Sequence, residues 1–161
     1  MRLLLLGILL TACGGNPDCL FLPKDDTPRA ISPCTVPQLG GWIDESALPF
    51  VSMFSDDATA RGIPCFHTPV IGFLEEPLPE DKDILGYCMF DFDIVFVREY
   101  WKWMTPESRR TLVYHELGHC ALHRSHASGN EIDIMNPYLI ADSVAVPQWD
   151  SLVNKLFTGK E

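Results

Sequence analysis

The sequence predicts an α+β fold: a small, twisted, mostly single sheet packed against a central helix and a C-terminal helix. Three observations point there. Apolar residues recur at helical spacing in three separate segments, short apolar runs of strand length lie between the first two, and turn-forming residues separate them all. The order is helix, short strands, helix, loop, helix. At 161 residues, with 47% hydrophobic and 21% charged side chains, the chain is long enough for one core and short for two domains.

The opening twelve residues are not part of that fold. Arg2 precedes the apolar run Leu3–Leu10, which is interrupted only by Gly7 and is far shorter than the roughly 20 residues of a membrane span. It reads as an export signal. The end of it, Leu10-Thr11-Ala12-Cys13, resembles the lipobox of bacterial lipoproteins. That resemblance implies cleavage before Cys13, lipidation of its thiol and anchoring in the cell envelope, with Gly14 leaning toward the outer membrane and a chain facing periplasm or exterior. Residues 13–43 carry Pro17, Pro23, Pro28, Pro33 and Pro37 and read as a tether and irregular lead-in. The functional domain then covers 44–161. In an exported chain disulfides are the default. Beyond Cys13 five cysteines remain, an odd number. Cys19–Cys34 and Cys65–Cys88 are the natural local pairs, crossed pairings staying open, and Cys120, on a helix expected to be buried, is expected to be the unpaired one.

From Asp44 to Arg61, Leu48, Val51, Phe54 and Ala58 fall three and four apart, closed by Gly62 and Pro64. Strands are expected at Val70–Leu74, Ile84–Phe90 and Ile94–Val97. Tyr100, Trp101 and Trp103 form an aromatic cluster read as core or lid packing. Thr105-Pro106 starts the next helix, a capping hydroxyl followed by proline at the first helical position, and it runs to about Leu122. Residues 124–137 read as loop. The last helix begins near Pro147 with Trp149, Leu152, Val153 and Leu156 on one face.

The central helix carries His115-Glu116-Leu117-Gly118-His119, an H-E-x-x-H. Histidines four apart lie one above the other, separated by about 6 Å of rise, so both imidazoles can reach one zinc ion. Glu116 projects roughly 100° around the helix, suited to a general base beside the metal. Such a site hydrolyses peptide bonds with a zinc-activated water. Zinc needs a third ligand. His123 would share the helix face but sit about 12 Å along the axis from His115, too far for one ion. His126 lies beyond the helix end, where a turn can return it, and spacing favours it; Glu131 and Asp133 are weaker alternatives. The net charge of −10 argues against nucleic acid or an anionic membrane surface as main partner.

With these residues in view, the chain resembles the metzincin clan of zinc peptidases, whose H-E-x-x-H-x-x-G-x-x-H is followed by a methionine turn. His115, Glu116 and His119 match, and Asp133-Ile134-Met135-Asn136-Pro137 looks like the turn, with Met135 beneath the metal. Leu122 occupies the glycine position and Ser125 the third histidine position, so His126 comes one residue late. The form H-E-L-G-H-C-x-L-x-R-x-H with I-M-N-P is similar to small bacterial lipoprotein metallopeptidases, over roughly residues 84–138. The resemblance implies a peptide substrate added to a sheet edge near Ile94–Val97, and Tyr138 as a candidate oxyanion donor. The expectation is a membrane-anchored zinc metalloendopeptidase; alternatives are a non-catalytic zinc-binding surface lipoprotein and a zinc hydrolase acting on something other than protein. Glu116 favours catalysis, because a structural zinc has no need of an adjacent free carboxylate.

Overall fold

A computed structural model describes residues 43–63, 70–79, 82–89, 93–128 and 131–159. The expected export signal, Cys13, most of the expected tether, the expected Cys19–Cys34 pair and Cys65 lie outside these residues. Among the described residues no helix is long and apolar enough to cross a membrane.

The first helix, α1, is Leu48–Ala60. Asp44 prepares it: its carboxylate accepts from the backbone and hydroxyl of Ser46 at 2.9 and 2.7 Å, an Asx turn. Val51, Phe54 and Ala58 are buried as their spacing requires, whereas Leu48, in the first turn, stays 43% exposed. Gly62 closes the helix at φ +75°.

The strands are β1 (Val70–Leu74), β2 (Gly86–Met89) and β3 (Asp93–Val97), in the order β1-β3-β2. β3 pairs parallel with β1 and antiparallel with β2. The expectation of a sheet edge at Ile94–Val97 is therefore corrected: β3 is the central strand, bonded on both sides, and the edge beside the motif-bearing helix is β2. Register explains the packing. Ile71, Phe73, Ile94 and Phe96 fall on one face, and Gly86 and Cys88 of β2 stand opposite Phe96 and Ile94 on that same face. Ile71, Ile94 and Phe96 are fully buried there.

The segment Arg98–Trp103, read from sequence as an aromatic cluster, is a short helix, α2. Residues two apart on a helix point roughly 200° from each other. Trp101 accordingly goes into the core, its ring 5.0 Å from Phe96 and 5.2 Å from Phe73, while Trp103 is 87% exposed.

Helix α3, Pro106–Cys120, starts where the sequence places it: the Thr105 hydroxyl accepts the Ser108 amide at 3.0 Å and Pro106 takes the first position. It is buried on most sides by α1, the sheet and the C-terminal elements, with Leu112, Val113, Tyr114, Leu117 and Gly118 inside. A four-residue helix, α4 (Asp142–Ala145), is a feature the sequence reading missed. Its Asp142 carboxylate ties it to the start of α3 by accepting from Thr105 and Ser108 hydroxyls at 2.6 and 2.8 Å. A 3₁₀ turn at Val146–Gln148 leads into α5, Trp149–Thr158, which buries Leu152, Val153 and Leu156.

The cysteine pairing is also corrected. Cys88 is joined to Cys120, not to Cys65, and Cys120 is not free. The register turns Cys88 toward α3, and Cys120 lies on the stripe of α3 that also carries Glu116, four residues earlier. The disulfide fastens edge strand β2 to the end of the motif-bearing helix.

Candidate active site

Two stripes of α3 do different things. Glu116 and Cys120 face β2. His115 and His119, roughly 100° away, face the chain that follows the helix.

That following chain is shaped by one residue. His123 adopts φ +53°, the left-handed conformation uncommon for anything but glycine. The reversal lets the Arg124 amide reach back to the Gly118 carbonyl at 2.9 Å and brings the Arg124 carbonyl to His119 Nδ1 at 2.6 Å. Three residues after the reversal, His126 arrives beside the other two histidines. The Ala127 amide then donates to the Met135 carbonyl at 2.8 Å, pinning this loop to the turn at 133–136.

The structure thus brings His115, His119 and His126 together. Their ligand atoms all lie within 4.8 Å of one another, with Nε2 of His115 3.1 Å from that of His119 and 3.3 Å from that of His126. A tetrahedral zinc with bonds of about 2.0–2.1 Å separates its ligand atoms by about 3.3–3.4 Å. His123 is exposed and is not one of the three, nor are Glu131 and Asp133.

Protonation is settled by carbonyl partners. A carbonyl oxygen only accepts, so His115 Nδ1 donates to Ile134 O at 2.7 Å and His119 Nδ1 donates to Arg124 O. In the neutral form both rings then aim bare Nε2 lone pairs toward each other. Burial reinforces this, pushing His115 down to about 4 against the help of the Ile134 carbonyl, and lowering His119 as well. Facing acceptors at 3.1 Å repel one another unless a cation lies between them. The donor set fits a metal ion that prefers imidazole nitrogen, zinc foremost.

Glu116 is 4% exposed. Burial pushes its carboxyl up to about 8, opposed by a hydrogen bond from the Cys88 amide. Its carboxylate lies over Gly86, where the Cβ of any other residue would stand 3.1 Å from Oε1 and 2.9 Å from Phe96 Cδ1.

Met135 is 1% exposed and packs under α3 against Gly118, at the position a side chain on residue 118 would need. Its turn is held by Asp133, whose Oδ1 accepts the Met135 amide at 2.7 Å. Tyr138 is 81% exposed, and its backbone amide donates to Asn136 Oδ1 at 2.9 Å.

Gly86, the amide of Cys88 and the carbonyls of Arg124 and Ile134 were not singled out from sequence. Main-chain atoms leave no trace in residue identity. The pairing of Cys88 did leave one, since Cys120 follows Glu116 by a helical turn and must share its neighbours.

No curated protein and no solved structure matches the chain. Residues 68–139, which carry all three strands, the H-E-x-x-H helix and the methionine-bearing turn, match the family model described as "Putative phage metallopeptidase", and this similarity supports a metallopeptidase-like family for that segment.

Proposed function

We propose that the chain is a zinc metalloendopeptidase in which His115, His119 and His126 hold the metal and Glu116 is the general base. The convergence of three imidazoles, with a buried carboxylate on the residue next to His115 in the helix, carries the reading. Zinc bound there supplies a Lewis acid and water of lowered pKa. The protein's own groups do the rest. Ile134 and Arg124 carbonyls fix the imidazole tautomers and ring orientations. Glu116, held in an apolar niche with a raised pKa, is suited to take a proton from the attacking water and pass it to the leaving amine. Met135 gives the site an apolar floor, and Tyr138, close in sequence to the turn, is the candidate donor to the oxyanion.

A peptide substrate fits the outer edge of β2. Leu85 O accepts the Val97 amide, so the alternation of an antiparallel ladder leaves the polar groups of Gly86 and the Cys88 carbonyl facing away from β3, while the Cys88 amide is taken by Glu116. An extended peptide added there runs beside Glu116. In the same proposal the N-terminal segment exports the chain, and Cys13 anchors it by lipid in the cell envelope.

The experiment is Glu116→Gln. Cleavage of an unfolded protein should be lost while one zinc per chain stays bound. The competing reading, a zinc-binding surface lipoprotein without activity, wins if the mature, zinc-loaded wild type cleaves no member of a peptide library.

A further inference from the structure

Lys155 lies on α5, outside the motif and outside every residue assigned above to metal or substrate. Its ammonium is 3.3 Å from Asp133 Oδ2 and 2.9 Å from Glu131 Oε2. The two partners differ in kind. The Glu131 side chain is 49% exposed, and a pair of that sort contributes little. The Asp133 side chain is 6% exposed, so its oxygens meet protein partners and little water. Its other oxygen accepts the Met135 amide, and its backbone carbonyl accepts the Asn136 amide at 3.0 Å. Asp133 is the hub of the turn.

From that turn two links reach the histidines. The Ile134 carbonyl accepts His115 Nδ1–H at 2.7 Å, and the Met135 carbonyl accepts the Ala127 amide, next to His126, at 2.8 Å. The base of the chain is firm as well. Leu156, adjacent to Lys155, packs where α5 meets Gly118 of α3, one residue before His119. A rigid helix therefore presents the ammonium to a buried carboxylate that shapes the backbone behind two of three ligands.

We propose that Lys155 is a positioning residue of the metal site, acting through Asp133 on the orientation of His115 and His126. This rests on the zinc reading above. Without the ammonium, Asp133 is left as an unpaired buried carboxylate a few residues from a cation site. It would turn toward water or toward the metal, and either movement releases the Met135 amide and shifts the Ile134 carbonyl. Groups that orient metal ligands typically contribute tenfold to a hundredfold in affinity.

The test measures zinc affinity of the full metal-free chain by competition with a chelator, beside thermal unfolding of the metal-free protein. Lys155→Met should weaken zinc binding by about tenfold to a hundredfold, with a smaller relative loss of metal-free stability. Lys155→Arg, which keeps charge and donors, should restore most of the affinity. Asp133→Asn should weaken binding in the same direction, and adding Lys155→Met to it should cost nothing more, as for two residues acting through one contact. Asp133→Asn also keeps the question open to measurement if Lys155→Met does not fold. Wild-type affinity in Lys155→Met, or a loss that tracks metal-free unfolding with no rescue by arginine, overturns the positioning role while leaving the zinc reading intact. A wild-type chain that binds no zinc overturns both.

Discussion

The amide of Cys88 donates to the carboxylate of Glu116, so the edge strand holds the residue proposed as general base. Antiparallel alternation points this amide outward, where an incoming strand would otherwise meet it. Gly86 supplies the space, Cys88 the donor, and the Cys88–Cys120 disulfide fixes the distance from strand to helix.

Gly86→Ala tests this seat. The new methyl would stand 2.9 Å from Phe96 Cδ1 and 3.1 Å from Glu116 Oε1, and the carboxylate is the more mobile neighbour. Turnover should fall by about tenfold or more, as a base displaced by a fraction of an ångström loses its alignment. Zinc content should not change, because the atoms nearest the added methyl belong to Phe96 and Glu116. Elemental analysis and kcat on the same preparation check the split; equal loss of both would refute it.

Removing the disulfide should act at the same place. A bridge closing 32 residues stabilises a fold by about 3–4 kcal/mol in the chain-entropy model. Cys88→Ser with Cys120→Ser should therefore lower Tm by many degrees. Below the new Tm, zinc should still bind and peptide cleavage should be weakened through Glu116. A double variant that keeps wild-type kcat would show that the strand needs no clamp.

The metal-free protein should have a stability curve with two slopes. Glu116 is raised from 4.5 to about 8, so between those values the folded state holds a proton the unfolded state has released, and stability falls as pH rises. His115 is lowered from 6.5 to about 4, so between those values the unfolded state holds the extra proton and stability rises with pH. The slopes oppose each other up to pH 6.5, and Glu116 alone acts from there to 8. Wild type stripped of metal should lose about 2 kcal/mol over that interval, at about 1.4 kcal/mol per unit. Glu116→Gln should stay flat there in denaturant titrations. A wild-type curve equally flat would mean that the carboxyl is already ionised at pH 6.5.

Some of this was legible in the residues and some was not, for physical reasons. The start of α3 was, because Thr105 and Pro106 act locally on their own backbone. The burial of Leu152, Val153 and Leu156 was too, since helical periodicity reports one face directly. The identity of the edge strand was not. Ile94–Val97 and Ile84–Phe90 are similar apolar runs, and only pairing decides which is central. Cys65 attracted Cys88 by nearness in sequence, whereas the register of β2 against β3 turned Cys88 toward Cys120. Helix spacing pairs His115 with His119 and helix rise weighs against His123, but the turn that returns His126 is not written in the residues, and the carbonyls that orient His115 and His119 belong to residues 134 and 124, where any side chain would serve.

His123 offers the sharpest separation of a turn residue from a ligand. Its φ of +53° costs a non-glycine residue roughly 1 kcal/mol or more, and it stands outside the imidazole group. His123→Gly should keep one zinc per chain and hold or raise Tm, by up to about 1 kcal/mol in stability after glycine's greater unfolded-state entropy is subtracted. His123→Val should do the opposite. A β-branched residue resists the left-handed region, so the Arg124 carbonyl should drift from His119 and zinc affinity should fall although no ligand has been removed. His126→Ala should lose zinc outright with α3 intact by circular dichroism. Loss of zinc in His123→Gly with retention in His126→Ala would reverse the two assignments, making residue 123 the ligand and residue 126 part of the turn.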